Sequence, residues 1–319
     1  MEENYLLAKK IVSEKFNSND EYYYLYICAL FGFFMKYPDY KELIIKVFRD
    51  TRIIIENKPI FEIQKNYDLS LISEEDLKEQ DLSVCSYHGV SDTGFGYYIE
   101  DGIIKSIMDK PIVVCSSYDY SPALLLNAFV HEMNHILKGT VNSYGSKLED
   151  NVSECYTRSG FSYAYFSYDR DTDILTQTEF YSVLDEVVNV FQTTEILEYI
   201  LMLDGTVPDD GLQRYIDLLD KDEMKKNNGY DKCCGVFKRV WDKQVLKEIL
   251  EEHLIDGDLS EISVKFDEAV GRECFDRIAD SLDDLDYLFC ANNQKKNMDK
   301  CYKQLDKLIK SITSYKIKK

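Results

Sequence analysis

The stretch Phe129-Val130-His131-Glu132-Met133-Asn134-His135-Ile136-Leu137 constrains this chain more than any other. Two of the four histidines stand four residues apart, with a glutamate directly after the first. On a helix, residues i and i+4 lie one turn apart on the same face, so both imidazoles can reach one metal ion. Glu132 then projects beside that ion, where it can take a proton from a water. The flanks specify the helix. Ser121 is a good N-cap, Pro122 suits the first helical position, and Gly139 is a usual helix-ending residue. Leu124, Leu125, Ala128, Phe129, Met133, Ile136 and Leu137 make the segment apolar over most of its circumference, as in a buried helix. Asn127, His131 and His135 fall in one i, i+4, i+8 row with Glu132 alongside. The bland alternative is a pair of core histidines with Glu132 as ion partner, but burying three such groups without a metal is costly.

A catalytic zinc takes three protein ligands and leaves a fourth position for water. A third histidine six residues after His135 would extend the motif, but that position is Val141, and only His88 and His253 remain elsewhere. An acidic residue from a later helix is the other source. Thr176 and Glu179 form a capping-box pair that should start a helix running through 180–193. Within it Glu186 has Val183 and Val190 on adjacent turns of its own face, and a lone carboxylate there wants a metal or a cation. Asp185, near Ser182, Tyr181 and Asn189, reads as closer to solvent. Glu186 is therefore the expected third ligand. Glu149 and Glu154 are its nearest competitors, with Glu149 reading as a solvated loop acid.

His131-Glu132-x-x-His135 followed by a helix carrying Leu184-Asp185-Glu186 resembles the gluzincin superfamily of zinc peptidases. The resemblance covers these two helices and the hairpin ahead of them. It departs from the thermolysin-like N-E-x-x-S-D pattern, because Asp185 replaces the asparagine and Val190 stands at the acidic position. No G-x-M-x-N segment precedes the motif, unlike the large zinc aminopeptidases. The resemblance implies a Zn2+ cofactor on His131, His135 and Glu186, and a downstream glutamate that completes the site. Such a site hydrolyses peptide bonds through a zinc-activated water, with Glu132 as general base. The tetrahedral oxyanion also needs a donor opposite the base. Tyr163, Tyr165, Tyr168 and Tyr181 are candidates, as is His88; Tyr181, five residues before Glu186, is the one singled out.

Ahead of the motif the chain reads as sheet. Asp101-Gly102 between residues 94–100 and 103–108 is a hairpin signal, and 111–115 is a further strand leading toward the motif helix. In peptidases of this kind an edge strand beside the zinc helix can pair with an extended substrate. The rest reads as helical: a buried helix over 21–37, then amphipathic helices over 236–254, 259–288 and 292–319. The expected fold class is α+β, mostly helical, with a small β-sheet packed beside a zinc-binding helix and a helical C-terminal region. Gly205, Pro208 and Gly211 break the pattern, which suggests a catalytic domain over 1–205 and a helical region over 206–319.

A net charge of −20 disfavours nucleic-acid and anionic-membrane partners, and the resemblance implies a peptide or protein substrate. Nine cysteines without regular spacing fit reduced thiols used in packing, and no charged-then-apolar leader is visible, so a cytoplasmic protein is expected. A reading from a different class is a catalytically inactive metallopeptidase-like binding protein that acts through its helical C-terminal region. Retention of Glu132 beside both histidines favours the enzyme.

Overall fold

The computed structural model describes residues 1–67, 69, 89–139, 143–149, 151–224, 230–252, 259–271, 273–290 and 295–314. The fold is α+β and mostly helical, with thirteen α-helices and nine strands among the described residues. None of these helices is long and apolar enough to cross a membrane. The chain groups into two compact units, one of residues 1–94, 108–140 and 192–226, the other of 95–107, 141–191 and 227–319. Position 205 falls inside the first.

The first unit is built on α1 (Glu2–Lys15), α2 (Tyr23–Lys36) and α3 (Lys41–Asp50). Helix α2 is buried on nearly all sides from Leu25 to Phe34, as its continuous apolar run requires. Gly32 allows a close helix approach, since a Cβ there would lie 2.7 Å from Ile196 Cγ2. A three-stranded sheet follows, ordered β1 (Arg52–Glu56), β5 (Ile112–Ser116), β2 (Gly89–Asp92). Central β5 runs parallel to β1 and antiparallel to β2, and all five of its residues are buried, which is why it reads as an unbroken apolar run. Helix α4 (Ile60–Asn66) contributes Ile60 and Ile63 to the cluster with Ile54 and Val114.

Asp209 ties this unit together. Its carboxylate caps α7 (Asp210–Ile216) through Gly211 N and Leu212 N, at 3.0 and 3.1 Å. It also accepts from Tyr5 Oη at 2.6 Å, Lys9 Nζ at 2.5 Å and Tyr24 Oη at 3.2 Å. Burial pushes its pKa up, but the hydrogen bonds from Lys9 and Tyr5 outweigh that and hold the carboxyl well below the usual carboxylate range. Its stabilising contribution is therefore complete above the ordinary carboxyl pKa and is lost as the pH falls from there toward the depressed folded value. Asp209→Ala is expected to cost about 2–4 kcal/mol near neutral pH. Urea unfolding at about pH 7 and about pH 2.5 checks this, because the cost should shrink at the lower pH. A cost that stays constant would show that the carboxylate charge is not what matters.

The second unit opens with a hairpin, β3 (Phe95–Glu100) and β4 (Ile103–Met108). Asp101 and Gly102 both adopt positive φ (54° and 72°), the twist that a two-residue hairpin turn favours. Arg170 clamps this turn by donating to Asp101 O and Gly102 O. The hairpin is its own two-stranded sheet. An antiparallel meander follows: β6 (Ser143–Glu149), β7 (Val152–Ser159), β8 (Ser162–Asp169) and β9 (Ile174–Phe180). Thr176 and Glu179 pair with Ser167 and Ala164 in this ladder and do not cap a helix. Cross-strand hydrogen bonds win over the local capping signal, and the chain turns at Tyr181 (φ 60°) before α6 (Ser182–Leu201) begins.

Helices α9 (Asp231–Trp241), α10 (Gln244–Glu251), α11 (Leu259–Val270), α12 (Phe275–Cys290) and α13 (Lys295–Thr313) complete the unit. Phe161, Val187, Phe237, Trp241, Phe266, Phe275, Leu282 and Ile309 share one core, and Phe191 stacks on Trp241 with ring centroids 5.2 Å apart. The helix expected over 259–288 is two helices. Gly271 ends the first with φ 76°, and Asp267 Oδ1 accepts from Cys274 N and Phe275 N, at 2.9 and 2.8 Å, to start the second. The one expected over 236–254 breaks likewise between Trp241 and Gln244.

Candidate metal centre

The motif helix is α5 (Pro122–Gly139), and Ser121 caps it as its sequence suggests, Oγ accepting from Leu124 N at 3.2 Å. Central strand β5 leads into it, and edge strand β2 packs against it. Its polar residues divide by task. Asn127 donates to Met224 O at 2.6 Å, at the end of α8 (Lys221–Met224). Asn134, fully buried, donates to Gln192 Oε1 at 3.1 Å and accepts from Tyr37 Oη at 3.1 Å. The first contact joins α5 to α6.

His131 and His135 are half-buried and share a face, with Nε2 atoms 3.2 Å apart. The rings stand nearly perpendicular, at 77°. With Glu186 they form a group in which one ligand atom of each lies within 4.8 Å of the others. His131, His135 and Glu186 can therefore hold a metal ion. The fit can be tested on geometry. Neighbouring ligand atoms of a tetrahedral zinc, with Zn–N of about 2.0–2.1 Å, stand roughly 3.3–3.4 Å apart. The imidazole pair, at 3.2 Å, stands close to that spacing.

Glu186 is placed by the first turns of α6. Asp283 Oδ1 accepts from Val183 N at 3.1 Å, which satisfies one orphan donor of the helix start. Asp185 is 1% exposed and accepts from Phe161 N at 2.8 Å. The expectation that Asp185 faces solvent is thus corrected: it pins the β7–β8 turn, where Gly160 takes φ 58°, onto α6. Glu186 itself is half-buried between Val183 and Val190, both buried.

The base candidate Glu132 meets a residue that sequence reasoning missed. Ser91 Oγ, on β2, donates to Glu132 Oε2 at 2.7 Å. Gly89, two residues earlier, leaves room for the same side chain, since a Cβ there would lie 2.7 Å from Glu132 Cγ. Glycine inside a strand signals close approach of another group, and that was the available cue. Cys115, opposite Gly89 on β5, is buried, and burial, then the nearby Glu132 charge, pushes its thiol up. Burial also raises the thiols of Cys28, Cys155, Cys234 and Cys301, with Cys234 at about 12. These side chains are protonated at neutral pH and act in packing.

The candidate phenols have partners of their own. Tyr181 donates to Asp276 Oδ1 at 2.9 Å and packs edge-on against Phe275; burial, then that hydrogen bond, pushes its phenol up to about 12. Tyr165 donates to Glu154, and Tyr168 donates to Asp173 at 2.6 Å. Tyr163 packs between Tyr156 and Phe180. Glu149 lies in β6, not in a loop. His88, Val141 and His253 lie outside the described residues.

No protein-family model matches this chain, and no curated protein or solved structure matches it either.

Proposed function

We propose that this protein is a zinc metallopeptidase of gluzincin type, with His131, His135 and Glu186 as metal ligands and Glu132 as general base. The observation that carries the reading is the gathering of those three side chains into one group, with Glu132 next to the first in sequence. Zinc bound there would supply the Lewis acidity that activates a water and polarises the scissile carbonyl. Glu132 would accept the water proton and later deliver it to the leaving amine. Ser91 holds one carboxylate oxygen of Glu132, which fixes the plane of the base. Edge strand β2, antiparallel to β5, offers its outer side to an extended peptide by β-augmentation.

The reading is tested by measuring metal content by mass spectrometry and hydrolysis of a quenched fluorescent peptide library. Zinc at one per chain, with turnover that stops under a chelator and returns with added zinc, is the expected result. Zinc-loaded protein that leaves every peptide intact would overturn the enzymatic reading. Gly89→Ala supplies a second check. The added methyl must displace Glu132, so turnover should fall at least about tenfold while zinc stays bound. Full activity in this variant would show that the base does not depend on the close approach of β2.

A further inference from the structure

In the second unit, α10, α11 and the first turn of α12 enclose a groove of about 1720 Å³. Small-molecule sites are usually about 300–1,000 Å³, so this groove is of peptide size. Its floor is apolar, formed by Val245, Ile249, Val264 and Ala269, with Val264 55% exposed. Among the described residues, seven carboxylates stand around that floor against one lysine and one arginine. The lysine, Lys265, is already held by Glu252 at 2.8 Å and Glu261 at 3.1 Å. The surplus among the described residues is therefore negative, and Glu248, Glu268 and Glu273 carry it on exposed positions of α10, of α11 and of the connection to α12.

An apolar floor within an acidic rim is complementary to a helix with an apolar stripe flanked by lysine or arginine. A nucleic acid or an acidic segment would be repelled by the same rim. A metal ion would use the carboxylates but not the floor. We infer that this groove docks a basic amphipathic helix of a partner protein. The inference does not rest on the metal centre, and its test reads binding alone.

The test uses the full chain and a fluorescein-labelled Lys/Leu amphipathic peptide of about 14 residues, with leucine at i, i+3, i+4 and i+7. Anisotropy is read at about 0.15 M salt, against a Glu/Leu peptide of the same pattern. The Lys/Leu peptide should bind and the Glu/Leu peptide should not. The triple variant Glu248→Lys/Glu268→Lys/Glu273→Lys should weaken binding at least about tenfold. A variant with the same charge change on exposed positions of α1 and α3, Glu2→Lys/Glu3→Lys/Glu42→Lys, should stay within about twofold. Val264→Gln, which leaves the charge alone, should weaken binding about fivefold. Circular dichroism of each variant should match the parent. Equal losses from both triple variants would reduce the effect to net charge and overturn the inference, as would no loss in Val264→Gln. Binding that appears only after removal of residues 315–319, Tyr-Lys-Ile-Lys-Lys, would assign the groove to the chain's own tail and equally overturn a partner.

Discussion

Glu132→Gln is expected to keep zinc and lower kcat/KM by about 10²–10⁴-fold, the usual scale of general acid–base catalysis. The amide has the shape of the carboxylate and can still accept the Ser91 hydroxyl that Glu132 Oε2 accepts at 2.7 Å, so the helix and the strand beside it have no reason to move. What the amide cannot do is take a proton from water at neutral pH. Loss of turnover with retained metal would therefore isolate the proton-transfer role from metal binding. The measurement is zinc content by mass spectrometry beside turnover on the same preparation. Undiminished turnover would remove Glu132 from the mechanism. Loss of zinc together with turnover would show instead that Glu132 supports the site.

Glu186→Ala is expected to weaken zinc binding by more than about 10²-fold, since even changes to residues that only orient a ligand cost about 10–100-fold. Glu149→Ala and Glu154→Ala should each change affinity by less than about threefold. The distinction follows from place in the fold. Glu186 is gathered with both imidazoles, whereas Glu154 accepts the phenol of Tyr165 within the β-meander. A competition titration against a chromophoric chelator reads all three variants. Metal retained by Glu186→Ala and lost by one of the other two would move the third ligand to the meander. Helix content should be unchanged in Glu186→Ala, because the start of α6 is fastened by Asp283 and Asp185.

The local signals that survived folding are those with few competitors. Ser121, Pro122 and the apolar run after them specify one helix, and the i, i+4 spacing of His131 and His135 puts both rings on one side of it wherever the helix packs. Asp101-Gly102 specifies its turn because both residues tolerate positive φ. The continuous apolar runs of α2 and β5 could only be buried, and they are. Glu186 was legible from the apolar residues on its own helical face.

Other features depended on partners far away in the chain. Thr176 and Glu179 look like the start of a helix until β8 is laid beside them; then ladder hydrogen bonds take the segment. The meander had cues in Asn151, Gly160 and Asp173, each at a turn with positive φ, but the tyrosine-rich strands between them carry little alternation of polarity. Asp185 looks solvated until the Phe161 amide reaches it. Ser91 and Gly89 acquire meaning only when β2 pairs with β5 and comes against Glu132. Sequence alone determined the helix, the paired imidazoles and the carboxylate expected to join them, because helical periodicity is a short-range rule. Tertiary structure decided which strand flanks the base, which phenols are already spent on carboxylates and where the acidic groove opens. Those depend on side chains brought together across large sequence separations, and no local pattern encodes them.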